Sequence, residues 1–399
     1  MAAVKRWPIV VASVVMQMAL GTYYAWSVFR IPLAQQFGWT ISQITLAFTL
    51  NVLGLGIGCF WGGLLMNRVG PRVVACLGGF LWGSGVFLAS FSDHKLWWLY
   101  ITYGVIGGSG LGSGYIVPIS VLVKWFPERR GLMTGLAVGG FGAGALVAAP
   151  IATRLIHSVG VMPTFAYLGI TYLIVTLLAG SFMKNPPVGW KPEGWTPTAT
   201  QISQRAAKDY TLSEALKTWQ FWALCALLSL NSMAGISVIS QAAPMFEEMG
   251  KVTALTAASM VGIISIANGG GRLFWAWISD VTTRKATLFV MFLIQAIFFW
   301  MFASLSSPIL LGIVSSVILL CYGGGYGVTP AFAADYFGPR NVGSIYGLIM
   351  IPWGFTAAFA PLLFGYLRQV SGGYTGALHL LAGMMAVSMI LPIVMSPPR

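Results

Sequence analysis

Twelve times along this chain, a run of about 20 mostly apolar residues follows a short polar stretch. That is the length a helix needs to cross the hydrocarbon core of a bilayer. The runs cover residues 8–29, 44–66, 73–91, 96–122, 131–156 and 160–182, then 220–246, 253–279, 286–304, 308–334, 342–366 and 375–396. The pattern predicts an all-α membrane protein. One long polar interval, 183–219, divides the runs six and six. It predicts two six-helix bundles, 1–182 and 220–399, joined by a linker. Within that linker, Thr211 and Glu214 have the spacing of a capping box, which predicts a short amphipathic helix starting there. Residues 8–29 are too long for the core of a signal peptide and lack a clear cleavage site, so they read as the first spanning helix.

Composition sharpens this. Hydrophobic residues make up 57% of the 399 and charged ones 8%, against about 25% charged in soluble proteins. The mean hydropathy is +0.81. A cytosolic enzyme, a secreted disulfide scaffold and a disordered chain are excluded. The formal net charge of +13 does not point to nucleic acid, because the cations sit in short turns between apolar runs. With the N-terminus in the cytoplasm, Arg30, Lys95, Arg154, Lys251 and Arg368 fall outside and Arg272 falls within a span. The remaining sixteen of the 22 Lys and Arg, from Lys5 to Arg399, fall on the cytoplasmic side. That bias predicts a multi-pass protein of the cell inner membrane with both termini cytoplasmic. Cys59, Cys76, Cys225 and Cys321 lie singly in apolar runs, so neither disulfides nor a metal site is expected.

Arg272, in "IANGGGRLFW", is the one charge inside a span. A guanidinium there costs a few kcal/mol or more and stays protonated. Asp280 is eight residues away, roughly 12 Å along a helix, too far for a direct pair. A water-filled cavity and an anionic substrate would account for it, since the planar fork suits a carboxylate. A structural arginine bonded to carbonyls is the alternative. Asn268, one turn earlier, shares its face.

The two halves echo each other. "VPISVLVKWFPERRGLMTGLAVG" joins the fourth and fifth spans, and "TPAFAADYFGPRNVGSIYGLIM" joins the tenth and eleventh. Duplicated six-helix units put a transport site near the midplane between halves. "GGLLMNRVGPR", with Gly63, Asn67, Arg68, Gly70 and Arg72, resembles the loop motif of the major facilitator superfamily, although Asn67 stands where an acid is usual. "KWFPERRGLMTGLAVGGFGAG" resembles the fifth-helix signature of the monocarboxylate transporter and oxalate–formate exchanger branch, as do "GTYYAWSVF" and "YTLSEALKTWQFW".

The resemblance implies a transporter, not an enzyme, with two pseudo-symmetric bundles and alternating access. It implies Arg272 as the substrate's anchor. In monocarboxylate transporters an Asp appears at the place of Asn268, and in oxalate–formate exchangers a second cation, Lys, at the place of Trp353. One cation suits one carboxylate, so a proton-coupled symporter of lactate or pyruvate is expected, with a carboxylate exchanger as the alternative. Since Asn268 cannot titrate, His379 is the one histidine placed mid-span as a proton carrier. Tyr24, Trp26, Tyr115, Tyr322 and Tyr326 are further candidates to line the cavity. Arg68, Arg72, Arg129, Arg130 and Asp280 are expected to latch the cytoplasmic ends. No cofactor is expected, and the working form is expected to be a monomer with a small carboxylate, a proton and lipid as its partners.

Overall fold

The computed structural model of the chain describes residues 6–187, 189–203 and 205–398, so Lys5 and Arg399 lie outside the described residues. Among the described residues, twelve helices are long and apolar enough to span a membrane. They are α1 (Trp7–Phe37), α2 (Ile41–Val69), α3 (Pro71–Ala89), α4 (Leu96–Trp125), α5 (Arg130–Val159), α6 (Val161–Ser181), α7 (Trp219–Gly250), α8 (Ala254–Val281), α9 (Arg284–Phe302), α10 (Pro308–Phe337), α11 (Val342–Ser371) and α12 (Thr375–Val394). No strand occurs among the described residues.

Local chemistry sets the ends. Thr40 opens α2 with a capping box, its hydroxyl accepting from the Gln43 N–H while the Gln43 side chain accepts from the Thr40 N–H. Thr253 and Thr283 cap α8 and α9 in the same way from one side. The tight turn between α2 and α3 needs a positive φ, supplied by Gly70 at 83°. Two helices depart from regular α geometry. Thr22–Trp26 in α1 is a 3₁₀ turn and Tyr100–Gly107 in α4 is π-helical.

The packing shows the repeat. In the first half α1 packs on α5, α2 on α4 and α3 on α6; in the second, α7 packs on α11, α8 on α10 and α9 on α12. The halves meet along two equivalent seams, α2 with α11 and α5 with α8. Glycine lets the backbones close there. A Cβ on Gly63 would lie 2.1 Å from the Gly343 carbonyl oxygen, and one on Gly135 would lie 2.5 Å from that of Arg272. Both of these approaches lie on the linker side of the helix midpoints. Toward the other face, Gly262, Gly269 and Gly270 of α8 meet open space. Helix α8 is nevertheless continuous through Gly269–Gly271, so the glycine run does not break it.

The linker lies across the ends of the second half. Its short helix, Leu212–Leu216, starts with the expected capping box between Thr211 and Glu214. The Ala206 and Tyr210 N–H groups donate to the Asp335 and Phe337 carbonyls, both at 2.8 Å.

Candidate functional site

Arg272 lies on α8 nine residues before its end at Val281, roughly 14 Å along the axis. It is 2% exposed. It faces a chamber between the halves lined by Tyr24, Leu55, Tyr115, Phe141, Tyr326, Met350 and Trp353. Four of these come from the first half and three from the second, so the chamber straddles the seam. Arg272 Nη1 donates to the Val138 carbonyl of α5 at 2.9 Å, and Nη2 approaches the Tyr24 hydroxyl at 3.5 Å. The guanidinium carbon lies 5.3 Å from the Tyr326 ring centre. Its Nε–H is buried without a partner, and the acids of the chain are not among its neighbours. Arg272 thus behaves in part as a carbonyl-bonded structural arginine, yet keeps donors free for an anion.

The second-half wall is a wired aromatic cluster. Trp353 Nε1 donates to the Tyr326 hydroxyl at 2.7 Å, and that hydroxyl donates to Tyr322 at 3.0 Å. Ser232 completes it at 2.9 Å from the Tyr326 oxygen. The Tyr326 hydroxyl is therefore committed, and it orients the ring rather than offering a free donor. Across the chamber, Phe141 packs against Tyr115 and Tyr24 at 4.9 and 5.6 Å between ring centres.

The chamber is closed around a free volume of about 10 Å³, room for about one water. Every lining residue is buried except Tyr24, which is 36% exposed. Tyr24 belongs to the 3₁₀ turn of α1. It is thus the one exposed wall of the chamber, its hydroxyl 3.5 Å from Arg272 Nη2.

Several candidates fall elsewhere. Asn268 is not in the lining. Its backbone and amide oxygens press on Gly323 of α10, where a Cβ would lie 2.0 and 2.7 Å away. Sharing a helical face with Arg272 did not suffice, because α10 packs closely over that turn. Tyr322 sits behind Tyr326 rather than in the lining. Trp26 points into the first half, stacked on Tyr103 at 4.3 Å. His379, the expected proton carrier, is not in the chamber lining. It stacks on Trp300 at 4.4 Å at the α9–α12 periphery, and Trp300 is 63% exposed. The lining residues Leu55, Phe141 and Met350 were not singled out from sequence, and neither was the Val138 carbonyl. A backbone acceptor leaves no mark in a sequence.

The latch on the linker side is smaller and richer than the turns suggested. Asp280 accepts from the Gly131 and Leu132 N–H groups at the start of α5, at 2.9 and 2.7 Å, and from Arg284 at 2.7 Å. Asp335 takes Arg130 at 2.8 Å and Arg284 at 3.0 Å, with Arg205 of the linker at 3.6 Å. Burial, followed by the repulsion of Arg130, lowers Arg205 to about 10. Arg68, Arg72 and Arg129 do not join the latch. They are exposed, with no carboxylate within ion-pair distance among the described residues.

Two pseudo-symmetric six-helix bundles around a buried cationic chamber define a membrane transporter rather than an enzyme. The chain belongs to the Major Facilitator Superfamily, whose family model matches residues 11–334. It is 32% identical to an uncharacterized MFS-type transporter, YhjX, of Escherichia coli K12, over 88% of this chain and 85% of that protein. It is 28% identical to the oxalate:formate antiporter of Oxalobacter formigenes, over 86% and 80%. It is 25% identical to human monocarboxylate transporter 12, over 83% and 68%. The fold is also that of the transporter FucP in its outward conformation, with a TM-score of 0.74 at 16% identity over 97% of this chain and 98% of that one. The chain is thus a multi-pass transporter of a small solute, with relatives in the monocarboxylate and oxalate–formate branch.

Proposed function

We propose that this transporter moves a small monocarboxylate, such as lactate or pyruvate, by alternating access around Arg272. The supporting observation is a chamber with a single cation whose other walls are aromatic and apolar, Leu55, Phe141, Met350 and Trp353 among them. A carboxylate matches the free guanidinium donors and a short carbon tail matches the apolar walls, the chamber widening from its closed volume to admit them. A dianion would leave one charge unpaired in a low-dielectric site. The cation bias supports a reading with the linker side in the cytoplasm of a plasma membrane, and the family fold supports a monomer as the working form.

Proton symport needs a group that takes up and releases the proton. The lining contains neither an acid nor a histidine, and Arg272 does not titrate. An empty chamber carries an uncompensated charge, whereas a loaded one is neutral. Rocking is therefore favoured when a carboxylate is bound. Exchange of one monocarboxylate for another is the coupling this chamber supports best. Proton symport, with the proton travelling outside the chamber lining, is the second reading.

Labelled lactate uptake into proteoliposomes separates these readings, run with lactate inside and no gradient, or with an inward proton gradient and an empty lumen. Uptake that requires internal lactate assigns exchange, and gradient-driven accumulation assigns symport. In Arg272→Gln, uptake is expected to fall by roughly tenfold to a hundredfold, the range of a lost charged hydrogen bond. An Arg272→Gln variant as active as the parent would overturn the site.

A further inference from the structure

Away from the chamber, a cavity of about 360 Å³ opens on the outer surface of the first half, at the linker side. It is lined by Pro8 and Ile9 of α1, Arg72 of α3, and Ser181, Phe182 and Lys184 at the end of α6. Its size lies within the range of small-ligand sites. Arg72 and Lys184 are both exposed, and neither has a carboxylate within ion-pair distance among the described residues. Five other cations of this face have carboxylate partners. Arg6 pairs with Glu128, Arg130, Arg205 and Arg284 share Asp335, and Lys208 pairs with Glu214. Two free cations facing one cavity repel each other, so an anion between them relieves that cost.

The position says which kind of anion. All three elements meet where the helices enter or leave the bilayer. Trp7, 63% exposed, and Phe182, 53% exposed, mark an interfacial level beside the cations. From there toward the bilayer centre the same helices expose Val11, Val73 and Leu178. A ligand seated here has its charge against Arg72 and Lys184 and an apolar portion against those side chains. We propose that this cavity binds the headgroup of an anionic phospholipid in the linker-side leaflet. Arg72 then has a role apart from the ion-pair latch, which it does not join. The proposal is independent of the substrate carried in the chamber.

Native mass spectrometry of the full-length transporter in mixed micelles, with phosphatidylglycerol and phosphatidylcholine as probes, tests it. Preferential retention of phosphatidylglycerol is expected. In Arg72→Gln/Lys184→Gln that preference is expected to fall by roughly twentyfold, about fivefold for each cation, and Arg72→Lys keeps most of it. Lys191→Gln/Lys217→Gln removes the same charge from exposed linker positions and keeps the preference. Equal retention of the two lipids by the parent overturns the proposal. An equal loss in both double variants also overturns it, because net charge alone would then be acting. Displacement of phosphatidylglycerol by inorganic phosphate assigns the cavity to the free ion and overturns the lipid.

Discussion

The α2–α11 and α5–α8 seams hold equivalent places in the repeat, yet different chemistry closes them. Between α2 and α11 the contact is almost entirely backbone. Gly63 abuts Gly343, Gly347 abuts the Cys59 carbonyl and Gly56 that of Met350, with one weak polar link, Asn67 to Ser344, at 3.4 Å. Between α5 and α8 the glycines recur, but a buried ionic network is added at the linker end, where Asp280 of α8 and Arg130 of α5 join Arg284 of α9 and Asp335 of α10. Close packing alone is evidently enough to bring such helices together. Charge is concentrated on the seam whose helix also bears Arg272. Asp280 lies eight residues beyond Arg272 on the same unbroken helix, roughly 12 Å away. One continuous helix thus carries both Arg272 and the carboxylate that caps α5. Ion pairs can exchange partners as the seam opens, whereas packed glycines only separate.

The contrast breaks most readily at Asp335. Replacing it by Asn leaves Arg130 and Arg284 buried without their shared acceptor, a loss of about 3–5 kcal/mol. The seam is expected to part on the linker side. Cys59 of α2, whose carbonyl abuts Gly347 of α11 and whose buried thiol donates to the Gly112 carbonyl of α4 at 3.3 Å, then reports the opening as faster maleimide labelling in a Cys76→Ala background. Unchanged labelling would show that the ionic network does not hold the halves together.

On the neutral seam, Gly63→Ala puts a methyl against the Gly343 carbonyl. Overpacking of this kind costs about 1–3 kcal/mol, read as a lower thermal midpoint together with faster Cys59 labelling. A midpoint equal to the parent's would mean that the backbones yield there freely.

The smallest effect is expected in the linker beside the charged seam. The Glu214 carboxyl is held down to about 2, first by Lys208 and then by the Thr211 N–H. A carboxyl whose pKa is lowered in the fold stabilises above its unfolded value near 4.5 and loses that contribution as pH falls toward 2. Amide-exchange protection of 212–216, corrected for intrinsic rates, is expected to fall across that window in the parent and to stay flat in Glu214→Gln.

Much of this was legible beforehand for identifiable reasons. A bilayer demands long apolar runs, so twelve helices could be counted from hydropathy. Thr211 and Glu214 signal a helix start through purely local bonds. An unpaired arginine in a span is costly enough to stand out from any sequence, and Arg272 does line the chamber. His379 shows the limit. Its depth in a span was readable, but whether it faced the chamber or lipid was set by how α12 packs on α9.

The sequence by itself therefore determined the membrane environment, the twofold repeat and the one charge that needs an explanation, because each follows from composition or from neighbours within a few residues. The tertiary structure decided which side chains share the chamber, that Trp353 wires Tyr326 in place, that Asn268 packs on Gly323, and that Arg130 enters the latch while Arg129 does not. Those outcomes depend on helix rotation and on contacts between residues 27 to 205 positions apart, and no local pattern encodes either.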